Sequence, residues 1–263
     1  MRYFLHIGYD GSQYRGWQWQ PNVVSVQGTI EEKLKRIFKE DITVYGCGRT
    51  DSGVHASQYI LHINIKKPFD FDLKFRLNKN LPDDIVVYDI MEMKDSQHAR
   101  YDATSRTYDY YIHLYNTPVL GNHSSFYEFE NLDVEAMKKA AAILPLCNDF
   151  RAICRQPDLY KHTLCDVSDA KLYVDSSGSR LRFSITSDRF LRGMIRICVY
   201  FLLQIGNREM SFEEFEHILS NQLDVPVKRL ALPNGLYLTR IEYPYLKVAT
   251  QADMGSLLKA GLE

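Results

Sequence analysis

The sequence predicts an α+β fold in two lobes, each with a mainly antiparallel sheet and with helices on one face. The chain of 263 residues is long enough for two domains of ordinary size. Segments with the alternation of a strand are interleaved with segments of helical periodicity, and each half of the chain offers several strands and two helices. We therefore place the lobes at residues 1–103 and 104–263.

The first half opens with a predicted strand, "RYFLHIGYD", followed by a predicted helix, "SVQGTIEEKLKRIFKE", whose apolar residues recur at helical spacing. Two further strands are predicted at "DITVYG" and "SQYILHINI". In the latter, Tyr59, Leu61, Ile63 and Ile65 fall on one face of the strand at a period of two. A short helix over residues 70–80 ends before a proline, and "DIVVYDIMEM" is the last strand of this half.

The second half begins with a long predicted strand, "TSRTYDYYIHLYN", and a helix at about residues 133–144. The polar stretch "CNDFRAICRQPDLYKHT" is longer than most connections, which suggests a functional loop. "LCDVSDAKLYVD" and "RLRFSITS" then flank "SSGS", a hairpin pattern.

The last predicted elements are two helices and a closing strand, "NGLYLTRIEY". In the helix "RFLRGMIRICVYFLLQIG", Arg192 and Arg196 are four residues apart and are expected on one face, which must then meet either solvent or an anion. Ser211 and Glu214 form a capping box for the second helix.

Composition excludes several classes of protein. Hydrophobic residues make up 45% and charged residues 25%, as in globular proteins, and no apolar run approaches the roughly 18 residues of a membrane span. The N-terminal "MRYFLHIGYDG" reaches an aspartate and a glycine too soon for a signal peptide, so we expect a cytoplasmic protein without membrane contact.

The five cysteines are an odd number and include no C-x-x-C pair, which favours reduced thiols over disulfides. Cys154, His162 and Cys165 can be drawn as a zinc site, but their spacing matches no known zinc motif. We therefore expect no metal site.

The formal net charge of -1 gives no overall attraction to nucleic acid, so the distribution of cations matters more than their sum. Arginines gather in "RYDATSR" and in "DRFLRGMIR". These clusters are either solvated faces or positions for phosphate groups.

The segment "YGCGRTDSGVHA" places Asp51 two residues after Arg49, among glycines that leave room for a planar ligand. Arg49 can keep the carboxylate ionised, and an ionised carboxylate can act as a nucleophile or general base. Other interpretations are an ordinary turn, a hydrolase pair of Ser52 and His55, or a metal site of Asp51 and His55. "GYDGSQYRGWQWQP" either stacks on bases or packs on the core, so the residues alone indicate an RNA-handling or carboxylate-dependent enzyme.

Seven segments resemble, in order, the TruA family of tRNA pseudouridine synthases. They are "YDGSQYRGWQWQP", "SVQGTIEEKL", "GCGRTDSGVHA", "NLPDDI", "HARYDATSRTYDYYI", "FLRGMIR" and "NGLYL". The resemblance covers nearly the whole chain. It implies an isomerase that converts uridine to pseudouridine at positions 38, 39 and 40 of the tRNA anticodon stem-loop, without metal or organic cofactor.

The resemblance also implies roles for particular residues. Asp51 corresponds to the catalytic aspartate of the N-terminal lobe and Arg49 to the motif arginine. Tyr108 is similar to the active-site tyrosine, Arg196 to the basic partner of the aspartate, and Leu236 to a pocket leucine. The C-terminal lobe would complete an active-site and RNA-binding cleft between the lobes.

Two further expectations concern partners. Phosphate contacts by Arg100, Arg189 and Arg192 would position the RNA. A homodimer is expected, since TruA relatives are dimers and "YNTPVLGNHSSFYEF" supplies an aromatic-rich patch. The alternatives are a non-catalytic RNA-binding relative and a pseudouridine synthase with another RNA target.

The sequence departs from the family pattern near the second arginine cluster. Arg192 and Gly193 stand where the family commonly has histidines, and Tyr200 stands where it usually has glycine. Lys161, His162 and Thr163 replace an arginine and threonine before the following strand. These changes spare the residues expected to be catalytic and bear on contacts with RNA.

Overall fold

The computed structural model describes residues 1–223 and 229–249 of the chain. The strands are β1 (Arg2–Tyr9), β2 (Tyr45–Gly46), β3 (His55–Asn64), β4 (Ile85–Met93), β5 (Ser105–His113), β6 (Ser125–Phe126), β7 (Val167–Val174), β8 (Arg180–Ser187) and β9 (Leu236–Glu242). The α-helices are α1 (Val26–Phe38), α2 (Leu73–Asn80), α3 (Val134–Ala142), α4 (Met194–Gly206) and α5 (Phe212–Ser220). This mixture confirms the α+β class.

The described residues form two compact units, Met1–Thr104 with 237–249 and residues 105–223 with 229–236. Residues 237–249 belong to the first unit and not, as predicted from the sequence, to the C-terminal lobe. The reason is strand pairing, because β9 runs parallel to β3 and aligns Tyr237 with His55 and Leu238 with Ala56.

In the first unit, β1 pairs antiparallel with both β3 and β4, and β2 pairs antiparallel with β3. Helix α2 contacts α1 and β4. Tyr59, Leu61 and Ile63 are buried on the face that their alternation predicts, and Ile60 and His62 on the opposite face are buried as well. Strand β3 is therefore an interior strand with buried side chains on both faces.

In the second unit, β8 pairs antiparallel with β5 and with β7, and the short β6 runs parallel to β5. Helix α3 contacts α4, α5 and β7. Ten of the thirteen residues of α4 are buried, so this helix lies in the core of the unit.

Serine side chains cap the starts of two helices, and the second of these caps confirms the predicted role of Ser211. The hydroxyl of Ser25 accepts from the amide of Gly28 at the start of α1, and the hydroxyl of Ser211 accepts from the amide of Glu214 at 3.0 Å at the start of α5. Across the described residues, every helix is too short or too polar to cross a membrane.

The prediction of a strand over "DITVYG" is wrong except at Tyr45–Gly46, which form β2. Ile42 and Val44 are buried, as a strand would require, but the backbone of Val44 bonds to helix α1 instead of a neighbouring strand. Its amide donates to Glu31 Oε1 at 2.9 Å, and its carbonyl accepts from Gln27 Nε2 at 3.2 Å. Side chains of α1 thus take the hydrogen bonds that a sheet would have used.

Helix α4 begins at Met194, five residues later than its sequence pattern begins. Gly193 precedes it with φ of 72°, in the left-handed region, which interrupts the helix. Arg192 therefore lies outside α4, and the prediction that Arg192 and Arg196 share one helical face is wrong.

Candidate active site

Asp51 lies in a tight turn within the loop that joins β2 to β3. The amide of Val54 donates to the carbonyl of Asp51 at 3.2 Å, and Gly53 adopts φ of 76° within the turn. Asp51 and Ser52 are exposed, whereas Val54 is buried. The turn therefore leaves Asp51 exposed, while the turn's far end at Val54 is fixed in the core.

The end of β1 and the segment that follows it hold this turn through four contacts. The amide of Trp17 donates to the carbonyl of Thr50 at 3.1 Å, and the amide of Gly53 donates to the carbonyl of Tyr14 at 3.3 Å. The Ser52 hydroxyl also donates to Tyr14 O at 3.3 Å, and the hydroxyls of Tyr9 and Thr50 lie 2.8 Å apart. Residues on both sides of Asp51 are thus fixed by the same neighbouring segment.

An aromatic cluster lies behind the turn. The rings of Trp17 and Tyr59 stack with their centroids 4.0 Å apart, and Tyr9 packs 5.6 Å from Tyr59. The Tyr59 hydroxyl donates to the carbonyl of Gly48 at 2.6 Å. Trp17 is only 2% exposed, which confirms core packing for this part of the aromatic segment and excludes Trp17 as a platform for a nucleobase.

Two glycines allow the supporting segment to approach the turn. A Cβ atom on Gly11 would lie 2.0 Å from the carbonyl oxygen of Val54, and one on Gly16 would lie 2.6 Å from that of Thr50. Gly16 also has φ of 89°. This role was not predicted, although both glycines stand in the "GYDGSQYRGW" segment.

His55 is tied to Asp10 beneath the turn. Its Nδ1 lies 3.1 Å from Asp10 Oδ1 and 3.1 Å from the amide of Gly11, and its ring stacks on Tyr237. Burial raises the pKa of Asp10, but hydrogen bonds from His55 and Ser12 outweigh burial and hold it below its usual range. This pairing, together with the contact of Ser52 to Tyr14, argues against the Ser52–His55 hydrolase pair.

Two predicted cationic residues also belong to the first unit. Arg49 is exposed on the same loop as Asp51. Arg100 is exposed in the turn after β4, where its amide donates to His98 Nδ1 at 3.1 Å and its guanidinium lies 5.8 Å from the ring centre of Tyr101. Both cations are accessible to an anionic ligand.

The other predicted site residues belong to the second unit. Tyr108 is buried on β5 opposite Ile185, with its ring edge-on to Phe190 at 5.1 Å. Leu236 is buried at the first position of β9. The structure thus describes Asp51, Arg49 and Arg100 in one unit and Tyr108, Arg189, Arg192, Arg196 and Leu236 in the other.

Arg196 lies in the first turn of α4 and is held by the segment before β9. Its Nε donates to the carbonyl of Ala231 at 2.7 Å, while the Ala231 amide donates back to the carbonyl of Arg196 at 3.0 Å. One residue therefore binds both the side chain and the backbone of Arg196. This fixes the base of the guanidinium group.

The long polar stretch is not structureless, because it contains two short 3-10 turns (Arg151–Ile153 and Pro157–Leu159) and packs against the segment before α4. The Arg192 amide donates to the Tyr160 hydroxyl at 3.0 Å, and its guanidinium bonds to Gln156 Oε1. Arg189 lies 5.7 Å from the ring centre of Tyr160. Tyr160 therefore joins both arginines to the loop.

All five cysteines are free thiols. Burial, the largest cause, raises the pKa of Cys165 to about 12, so this thiol is protonated at neutral pH. Cys154 is also buried, whereas His162 is exposed. These thiols pack as small apolar side chains.

Comparison with known proteins gives a consistent result. A family described as tRNA pseudouridine synthase matches residues 147–244. The chain is 38% identical to tRNA pseudouridine synthase A of Porphyromonas gingivalis, over 92% of this chain and 97% of the relative. It is 37% identical to tRNA pseudouridine synthase A of Bacteroides fragilis, over 92% and 96% of the two chains. Similarity at this level over nearly the full length confirms the resemblance carried by the seven motifs: the chain belongs to the TruA family of tRNA pseudouridine synthases.

Proposed function

We propose that this protein is an isomerase that converts uridine to pseudouridine at positions 38, 39 and 40 of the tRNA anticodon stem-loop. Membership of the tRNA pseudouridine synthase family supports the reaction and the class of substrate. The resemblance of the seven motifs supports the choice of target positions. The reaction proposed here needs no external cofactor, because it rearranges bonds within one nucleotide.

The observation that carries the proposal is the support around Asp51. An exposed carboxylate in an ordinary surface turn has no need of a buried aromatic cluster and two close glycine contacts behind it. Here Trp17, Tyr14 and Tyr9 bind residues on both sides of Asp51. A catalytic group must be held within a fraction of an ångström of its productive position, and this support meets that requirement.

The proposed reaction balances without a co-reactant. The bond from ribose C1′ to base N1 breaks, and a bond from C1′ to C5 forms. The hydrogen on C5 leaves to solvent as a proton, and a proton returns at N1, so the product is an isomer of uridine. Asp51 acts as the nucleophile on the uridine while the base is detached and turned, and the bond that its carboxylate forms breaks again before the product leaves, which regenerates the carboxylate.

The remaining residues divide between chemistry and binding. Arg49 and Arg196 orient the Asp51 carboxylate, while Tyr108 and Leu236 line the pocket for the target base. This assignment draws on both units, and we propose that they form an active-site cleft. The target uridine must leave its stack to reach such a pocket.

Cations outside the pocket would bind the backbone of the RNA. Arg100, Arg189 and Arg192 are the proposed phosphate contacts, and Arg100 and Arg192 are exposed in the structure. With a formal net charge of -1, the protein can attract tRNA only where such cations are concentrated. We further propose a homodimer that works in the cytoplasm, where its substrate is found.

The test is release of tritium from an anticodon stem-loop labelled at C5 of uracil. Loss of the C5 hydrogen is inherent in the proposed reaction, so stoichiometric tritium release is expected with uridine at positions 38, 39 or 40. Stem-loops with cytidine at those positions serve as matched controls. Binding without tritium release would contradict the proposal and indicate an RNA-binding relative, and release only from other RNAs would refute the stated target.

A further inference from the structure

The peptide groups of Leu232 are enclosed in a ring of hydrogen bonds with two tyrosines. The amide of Leu232 donates to the hydroxyl oxygen of Tyr127 at 2.9 Å. The hydroxyl of Tyr110 donates to the carbonyl of Leu232 at 2.8 Å, and the two tyrosine hydroxyls lie 3.1 Å apart. The ring joins residues separated by more than 100 positions in the sequence.

The Leu232 amide binds the Tyr127 hydroxyl of this ring. An amide N–H only donates, so the Tyr127 oxygen accepts from it. The Tyr110 hydroxyl donates to the carbonyl of Leu232, and it also lies 2.8 Å from Ser125 Oγ and 3.1 Å from the Tyr127 hydroxyl. Burial, with Tyr127 as the next cause, raises the pKa of Tyr110 well above its usual value, and burial also raises that of Tyr127, so both hydroxyls keep their protons at neutral pH.

The ring bears directly on the peptide group that holds Arg196. The carbonyl of Ala231, which accepts from Arg196 Nε at 2.7 Å, belongs to the same peptide unit as the Leu232 amide. A trans peptide unit is planar, so fixing the direction of its N–H also fixes the direction of its C=O. The hydroxyl of Tyr127 therefore determines where the acceptor for Arg196 points.

We propose that Tyr127, held by Tyr110, is a positioning residue for Arg196. This inference rests on the proposed function, which gives Arg196 its role beside the nucleophile. The guanidinium is a rigid planar fork, so a bond at Nε sets the orientation of both terminal nitrogens. Loss of the Tyr127 hydroxyl frees the peptide unit of residues 231 and 232 to rotate and releases that orientation.

Tyr127→Phe tests the proposal because it removes the hydroxyl and keeps the ring. We expect kcat to fall about tenfold while KM for the labelled stem-loop changes less than about twofold, since the effect is on orientation of a catalytic group and not on RNA binding. Tyr110→Phe, a second variant, should show the same fall in kcat with the same small change in KM. Tyr111→Phe is the matched control, because Tyr111 is a buried neighbour on β5 whose hydroxyl lies 3.4 Å from Asp109.

A double-mutant cycle separates positioning from a merely structural effect. Arg196→Lys keeps the positive charge but removes the Nε donor to the Ala231 carbonyl, through which Tyr127 is proposed to act. In the Arg196→Lys background, Tyr127→Phe should therefore lower the single-turnover rate by less than about twofold. An equal loss of rate in both backgrounds would overturn the inference, as would an unchanged kcat in the folded Tyr127→Phe protein. Failure of the parent to release tritium would instead refute the proposed function, so the two failures are distinguishable.

Discussion

Replacing Gly16 by alanine is expected to displace the turn that carries Asp51. The new Cβ would lie 2.6 Å from the carbonyl oxygen of Thr50 and 3.1 Å from the carbonyl carbon of Asp51. Relief of the closer contact to 3.4 Å requires a movement of about 0.8 Å in the backbone beside the carboxylate. A displacement of about 1 Å of a catalytic group costs on the order of 100-fold in rate, so turnover should fall between about 10-fold and 100-fold.

Gly16→Ala should also lower the free energy of unfolding. Gly178→Ala is the matched control for the cost of placing alanine in a left-handed backbone conformation. Gly178 has φ of 71° and nothing within 4 Å of its expected Cβ, so its substitution meets only the left-handed penalty of about 1–2 kcal/mol. Gly16→Ala meets this penalty and an overpacking cost of about 1–3 kcal/mol. Gly16→Ala should therefore have a lower free energy of unfolding in urea titrations, and a lower rate of tritium release, than Gly178→Ala.

Equal losses of stability in the two alanine variants, with full turnover in Gly16→Ala, would refute the reasoning. Such a result would mean that the supporting segment yields without moving Asp51. The immobile turn would then no longer support the assignment of a catalytic carboxylate.

Three more predictions follow from the proposals and from buried histidines. Arg196→Ala should lose most turnover, as the proposed partner of Asp51; near-normal tritium release would remove Arg196 from the site. Burial, the larger cause in each case, lowers the pKa of His6 to about 4 and that of His62 to about 3. As the pH falls below about 6.5, these histidines take up protons in the unfolded chain but not in the folded protein, so the free energy of unfolding should decrease towards pH 3. In urea titrations at pH 7 and pH 5, His6→Phe should therefore show a smaller decrease than the parent. Light scattering should give the mass of two chains, since Val119 in the proposed dimer patch is 80% exposed; a mass of 30.6 kDa at working concentration would contradict the homodimer.

Local patterns in the sequence were sufficient for most elements. The segment "RYFLHIGYD" was predicted as a strand and forms β1, and Ser211 marked the start of α5. These features depend on neighbours three or four residues away. Periodicity and capping therefore contain the information that determines them.

Features that depend on distant partners were not predictable in this way. Residues 41–44 have the alternation of a strand, but Gln27 and Glu31 take the hydrogen bonds of Val44. The pairing of β9 with β3 likewise joins residues about 180 positions apart and moves the closing strand into the first unit.

The candidate site shows the same division between local and distant information. The motif around Asp51 was visible in the sequence, and its resemblance to a known family supplied a role. The supporting contacts from Gly11 and Gly16, and the hydroxyl of Tyr127 beside Leu232, depend on folding between separated segments. Glycines in the "GYDGSQYRGW" segment were the one available signal, since glycine permits close approach of two backbones.

Conversion of uridine by the Asp51→Asn variant tests the central claim most directly. Asparagine keeps the size of the side chain and removes the negative charge and the nucleophilic oxygen pair. The account predicts a folded variant that binds the anticodon stem-loop as the parent does, because phosphate contacts elsewhere provide most of the affinity, and that releases no tritium above background. Pseudouridine formation by the folded Asp51→Asn protein at a rate comparable with the parent would contradict the account.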